Sequence, residues 1–248
     1  MNCIAHRAFA GVAPENTLPA VQAAVAGTAG AGDGGSVPAD EDTTGVSDAE
    51  DAATVDEPAV DGIEVDVRRC GSGELVVCHD ETVDCVTDAT GTVGEFSAAE
   101  LADLSVAGSG AGIPTFAAVL DAVPPAVTVH AELKERVGAD VEALAAEADP
   151  PVVVSSFDAG ALADIEEFPT AWLVTAAEGA VPRARDLGAA ALHAPVDVCD
   201  AALVDRAAEA GLTVNVWTVT DPDQTRQLRD LGVDGVITDY PACCPSRR

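Results

Sequence analysis

Lysine is almost missing from this chain. Lys134 is the sole one in 248 residues, and Lys and Arg together number 12 against 43 Asp and Glu, for a net charge of −31. So few cations leave no basic patch to neutralise phosphates, which excludes a nucleic-acid partner and stable docking on an anionic membrane. Aromatic residues make up only 3%, so the core must be assembled from Ala, Val and Leu. No apolar run approaches the length of a membrane span, and no charged n-region with an apolar h-region opens the chain. These absences predict a cytoplasmic protein without a membrane anchor. The seven cysteines are odd in number and lack CxxC spacing, with Cys243 and Cys244 adjacent. That argues against a zinc site and predicts reduced, buried thiols. No Ser nucleophile elbow, P-loop or GxGxxG fingerprint in a strand-to-helix setting offers a rival chemistry, since the one Gly-rich match, at Gly30–Gly35, lies in an acidic low-complexity stretch.

What is abundant is acid. Carboxylates are spread over the whole length, as on a halophile-type surface that stays hydrated in concentrated salt. One stretch stands apart: residues 28–60 hold nine acids, no Lys or Arg and no aromatic residue. Such a segment cannot bury enough apolar surface to offset its ordering entropy, and reads as a flexible acidic loop between the first helix and the second strand.

Elsewhere short β-branched runs alternate with Ala-rich helical stretches. Candidate strands lie at 2–6, 62–67, 127–133, 151–156, 171–175, 190–194, 213–219 and 234–238. The first helix starts near Thr17, with Pro19 in its first turn and Gly27 at its end; the last is bounded by an Asp221–Pro222 start and a Gly232 stop. The run Leu75–Cys78 follows strand 62–67 too closely for a parallel crossover, so the two must form a hairpin. Setting it aside leaves eight strands and a (β/α)8 TIM barrel, one domain over 1–248, with an insertion at 68–112 after the second strand. Ser97 and Glu100 form a capping-box signal for a short helix in that insertion.

Candidate chemistry falls at the C-terminal ends of these strands, where such barrels keep their active sites. Glu64 and Asp66 share one face of the second strand, while Ile63, Val65 and Val67 face the other way. Two buried carboxylates side by side repel each other and call for a cation. Glu132, ending the next barrel strand, adds a third hard oxygen ligand suited to one Mg²⁺ or Ca²⁺. The competing explanation is a salt-bridge network with Arg7 and Lys134. His6-Arg7 ends the first strand and offers a planar guanidinium for a phosphate. Lys134, two residues beyond Glu132, is placed to add a second positive charge there. His79, followed by Asp80, begins the insertion, and with His6 makes a general acid and base pair. His130 shares the face of Glu132 one layer lower and reads as a packed or supporting residue.

These residues sit in stretches that resemble the glycerophosphodiester phosphodiesterases over nearly the whole chain: AHRAFAGVAPENTLPAVQAA, DGIEVDV, LVVCHDETVD, IPTFAAVLDAV, AELK, VVVSSFD, VNVWTVTD and GVDGVITDYP. The resemblance implies metal-dependent hydrolysis of a small glycerophosphodiester to glycerol phosphate and an alcohol, within lipid and glycerol metabolism. It implies that His6 and His79 are the acid–base pair, and that Glu64, Asp66 and Glu132 hold the metal. Arg7 and Lys134 would contact the phosphate, and Trp217 would line the substrate pocket. Glu15 would hold the first loop or stand near the metal. Three features depart from the family pattern: Ala8 where Gly is usual, Cys85 where a basic residue is common, and the added residues 28–60. Two other readings use the same barrel. One is a phospholipase or lyase acting on intact lipid through a cyclic phosphate, and the other is a non-enzymatic binding module.

Overall fold

The computed structural model describes residues 1–26 and 60–246. The stretch read as a flexible acidic insert lies, apart from Val60, outside the described residues. Eight strands run parallel: β1 (Asn2–Ala5), β2 (Gly62–Arg69), β4 (Thr128–Leu133), β5 (Val152–Ser156), β6 (Thr170–Leu173), β7 (Ala191–Pro195), β8 (Thr213–Val219) and β9 (Gly235–Thr238). They are hydrogen-bonded in the order β1-β9-β8-β7-β6-β5-β4-β2, and β1 pairs again with β2, so the sheet closes into the expected barrel. The remaining strand, β3 (Leu75–Val77), runs antiparallel to the far end of β2, Arg69 opposite Leu75. The hairpin expected from the short linker is there.

Helices α1 (Leu18–Ala26), α2 (Ala98–Ala102), α3 (Phe116–Ala122), α4 (Gly138–Ala145), α5 (Ala159–Leu162), α6 (Ala180–Asp186), α7 (Ala201–Glu209) and α8 (Pro222–Leu231) fill the connections. Their ends follow local chemistry. Ser97 Oγ accepts from Glu100 N while the Glu100 carboxylate accepts from Ser97 N, closing the capping box that starts α2. Asp221 accepts from Asp223 N at the start of α8, and Gly232 ends that helix at φ 83°, a left-handed conformation that favours glycine.

The core is aliphatic, as an aromatic-poor chain requires. Ile63, Val65 and Val67 are fully buried on the outer face of β2, against the helix layer. The insertion packs on a separate small cluster that includes Val76, Val83, Leu101 and Ile113. No described helix is long and apolar enough to cross a membrane.

The cysteines require a correction. Cys70, Cys78 and Cys243 are buried free thiols as expected, but Cys85 is exposed and Cys199 half-buried. Cys3 and Cys244 form a disulfide across 241 residues of sequence, with Cα atoms 5.1 Å apart. Barrel closure explains it: β1 pairs with β9, so the turn at Pro241–Cys243 brings Cys244 back to the first strand.

Candidate active site

The second strand sets the site. Its alternation turns Glu64 and Asp66 into the barrel, where they are 4% and 1% exposed. Parallel pairing with β4 puts Glu64 beside His130 and Asp66 beside Glu132. Three carboxylates therefore converge, with one oxygen of each of Glu64, Asp66 and Glu132 lying within 4.8 Å of the others. Glu64 Oε1 is buried without a hydrogen-bond partner, and such an orphan costs about 1–3 kcal/mol or more unless something charged meets it. Hard oxygen donors at this spacing, one of them unsatisfied, fit a divalent cation.

The first turn after β1 folds over the carboxylates. Arg7, Ala8 and Phe9 all have left-handed backbones, φ 47°, 60° and 68°, held by Phe9 N donating to His6 O and Asn16 N donating to Arg7 O. This unusual run costs about 1–2 kcal/mol per non-glycine residue. It aims Arg7 N at Glu64 Oε2, 3.0 Å away, and the Arg7 guanidinium at Asp66, 3.3 Å, and at Glu15, 3.2 Å. Glu15 thus anchors the arginine of the first loop. Lys134 reaches back from the end of β4 to Asp66 Oδ1 at 2.9 Å and to Glu132. Both cations expected at a phosphate are engaged with carboxylates, and both still line the central cavity.

Burial and charge pull the carboxylates apart. Burial, with Asp66 alongside, pushes Glu64 up to about 8. Asp66 is just as buried, yet the positive charges of Lys134 and Arg7 outweigh that and hold it below the usual carboxylate range. Burial raises Glu132 against the pull of Lys134. One charge-retaining carboxylate beside two that resist ionisation is the pattern a bound cation would even out.

Each candidate histidine is backed by a carboxylate. His6 Nδ1 lies 2.6 Å from Asp239 Oδ1, and His79 Nδ1 lies 2.7 Å from Asp80 Oδ1. Burial disfavours charge on His6, but the Asp239 hydrogen bond and the charge of Glu64 raise its pKa overall. The Arg68 guanidinium donates to His79 O at 2.9 and 3.1 Å, fixing the backbone where the insertion leaves β2 and β3.

The cavity enclosed by these groups has a volume of about 240 Å³ and is lined by His6, Arg7, Glu64, His79, Glu132 and Lys134 on its charged side. Trp217 forms the apolar side with Phe157, ring centroids 5.8 Å apart and nearly perpendicular. His130 stays one layer down, 7% exposed and 5.8 Å from the ring of His193, in the packed role expected of it.

Four contributors were not singled out from sequence. Asn16 sits in the PENT stretch and donates to Asp66 Oδ2 at 2.9 Å. Asp239 follows the last strand in the ITDYP stretch, and its position at a barrel strand end was the available signal. Phe157 stands likewise just past β5. His193, buried on β7, carried no signal of its own.

Known proteins share this fold and sequence. Residues 53–243 match the model of the glycerophosphoryl diester phosphodiesterase family. A glycerophosphodiester phosphodiesterase of Caldanaerobacter subterraneus subsp. tengcongensis is 30% identical over 206 residues, covering 75% of this chain and 84% of that protein. One from Bacillus altitudinis is 27% identical over 277 residues, covering 96% and 94%. Among solved structures, an Oleispira antarctica phosphodiesterase in complex with the product sn-glycerol-3-phosphate superposes with a TM-score of 0.77 at 23% identity, covering 98% of this chain and 94% of that one. With a matched segment that takes in all of the barrel from β2 to β9, the chain belongs to the glycerophosphoryl diester phosphodiesterase family.

Proposed function

We propose that this enzyme hydrolyses small glycerophosphodiesters to glycerol phosphate and an alcohol, in glycerol and lipid metabolism, with one divalent cation, Mg²⁺ or Ca²⁺. The observation that carries the reading is the convergence of three carboxylates, with Glu64 and Glu132 lining one cavity and Asp66 buried behind it, beside two carboxylate-backed histidines. Glu64, Asp66 and Glu132 would hold the cation. When bound it supplies Lewis-acid polarisation of a phosphoryl oxygen and a sink for developing negative charge. The chain's own groups do the rest. Arg7 and Lys134 present positive charge to the phosphate from two sides of the cavity. With Nδ1 held by Asp239 and Asp80, His6 and His79 each have Nε2 left to exchange a proton. One takes it from the nucleophile and the other gives one to the leaving alkoxide. Trp217 and Phe157 form the wall against which the non-phosphate part of the substrate packs.

The test is an assay of a glycerophosphodiester panel in concentrated salt, the condition that suits so acidic a surface, with chelator-stripped protein and each ion added back. Turnover to glycerol phosphate that depends on Mg²⁺ or Ca²⁺ is expected. His6→Ala and His79→Ala should each lower kcat by about 10²–10⁴-fold. Full activity after chelation would remove the metal from the reading. A cyclic phosphate as the final product would replace hydrolysis with lyase chemistry.

A further inference from the structure

The two backed histidines are not equivalent. His79 takes its carboxylate from the next residue, on an open surface, with side chains 36% and 40% exposed. His6 takes its carboxylate from the far end of the chain, 233 residues away, in a site where the two side chains are 17% and 23% exposed. The juxtaposition follows from register. The β1–β9 ladder pairs Asn2 with Gly235 and ends with Ala5 opposite Thr238. One residue further on, the strands bring His6 and Asp239 side by side.

Asp239 is also held from several directions. Its carbonyl accepts from Gly11 N at 3.1 Å, in the same loop that carries Arg7. The Tyr240 ring covers Gly11 so closely that a Cβ there would lie 2.3 Å from a ring carbon. Thr238, fully buried, donates through Oγ1 to Val219 O at 2.6 Å and accepts from Tyr240 N at 3.1 Å. The backbone that carries the carboxylate is therefore fixed on both sides of Asp239.

From this geometry we propose that Asp239 is the positioning residue of His6. It holds the imidazole with its hydrogen on Nδ1, so that Nε2 faces the cavity on the side of Glu64. An ionised carboxylate only accepts hydrogen bonds, so Nδ1 must be the donor and the ring tautomer is set. Nε2 stands 3.9 Å from Glu64 Oε2, at the cavity wall where a reacting oxygen would meet it. Because this pair is less exposed than His79–Asp80, water cannot replace Asp239 as readily as it can Asp80. The proposal rests on the hydrolytic reading above and on His6 as one of its proton-transfer groups.

The test is steady-state kinetics on one glycerophosphodiester for the wild-type protein and for His6→Ala, Asp239→Ala, Asp239→Asn, Asp80→Ala and the His6→Ala/Asp239→Ala double variant. Asp239→Ala should lower kcat by about 10-fold or more with KM within about 3-fold, since the lost function is orientation of a proton-transfer group. Asp239→Asn keeps an acceptor oxygen without the charge and should fall between, and Asp80→Ala should lose less than Asp239→Ala. The decisive readout is non-additivity: in the His6→Ala background, losing Asp239 should cost no more than about 3-fold further. A merely structural aspartate would lower both backgrounds equally, and that result overturns the proposal, as does an Asp239→Ala enzyme with wild-type kcat. If Asp239→Ala does not fold, Asp239→Asn alone and in the His6→Ala background decides the matter by the same rule. A wild-type protein inactive on every diester removes the hydrolytic reading and the proposal with it. An active wild type with an impaired His6→Ala and silent Asp239 variants removes the proposal alone.

Discussion

At the mouth of the barrel Asp66 is 1% exposed and keeps its charge; one layer below, His193 is equally buried and does not. Burial works against ionisation in both places. Around Asp66 it is outweighed by the positive charges of Lys134 and Arg7, with the Asn16 amide adding a hydrogen bond. Around His193 the facing groups are the His130 ring from β4 and the Asn215 amide from β8, 3.1 Å from Nε2, neither of which offers a negative charge. Burial therefore pushes His193 down to about 3 and His130 down to about 4. Counter-charge, rather than depth, decides which buried groups stay ionised. The barrel invests its counter-charges in the upper layer, where the chemistry is.

Glu64 lies where the layers meet, and it gives the sharpest way to break the comparison. It stands beside Asp66 on the strand, is in register with His130, and has one oxygen without a partner. Glu64→Gln keeps the shape and removes the repulsion. Activity should fall by at least about 100-fold, as when a group acting on transition-state charge is lost. Metal-free stability should rise by about 0.5–2 kcal/mol, the usual size of a gain that sacrifices function. Denaturant unfolding of chelated wild-type and variant protein measures the second effect. A destabilised variant would mean that the protein's own groups already satisfy the Glu64 charge, and the case for a cation would lose its main support.

The lower layer responds to acid. In the folded protein His193 is neutral down to about pH 3, whereas an unfolded histidine takes up a proton near 6.5. Between those values the unfolded state binds the extra proton, so stability falls as pH drops, by at most about 1.4 kcal/mol per pH unit from this group. The stabilisation is complete above about pH 6.5 and erodes toward pH 3. His193→Gln should flatten the slope of unfolding free energy against pH over that window. An unchanged slope would show that His193 is not buried neutral, and the contrast between the layers would fail.

Much of this was legible in the residues. The inside–outside alternation of β2 announced Glu64 and Asp66, and the few residues before Leu75 forced the hairpin. The Asp221 cap and Gly232 stop bounded α8 as read, because each depends on neighbours within a turn. What the residues did not announce depends on closure of the barrel. Asp239 meets His6, and Cys3 meets Cys244, only because β1 lies between β2 and β9. Asn16 was hidden for another reason: its left-handed backbone, φ 58°, turns a loop residue back into the site. Lys134 stands one residue past the end of β4, and its long stem folds back to Asp66 and Glu132, a choice that alternation cannot specify.

The smallest expected effect concerns Ala8, where the family pattern has glycine. Its φ of 60° confirms that the turn after His-Arg is left-handed and must carry a Cβ. The conformation costs about 1–2 kcal/mol for an L-residue. Replacing Ala8 by glycine relieves this but returns about 0.4–1 kcal/mol through the freer unfolded chain. It also removes a methyl group that is 1% exposed and packed beside Phe9 and Ala20, which is a further loss of about 0.8 kcal/mol. The three contributions nearly cancel, so Ala8→Gly should leave stability within about 1 kcal/mol of wild type, near the range of a neutral substitution. Ala8→Val has no such compensation, because a β-branched side chain tolerates this backbone poorly, and should destabilise clearly more. Activity of Ala8→Gly should hold, since the Arg7 N–Glu64 hydrogen bond is set by Phe9 and Asn16 bonding back to His6 and Arg7 rather than by residue 8. A loss of turnover with intact stability would instead make the Ala8 methyl group part of what holds the upper layer in register, extending the mouth's demand for precise placement into the turn itself.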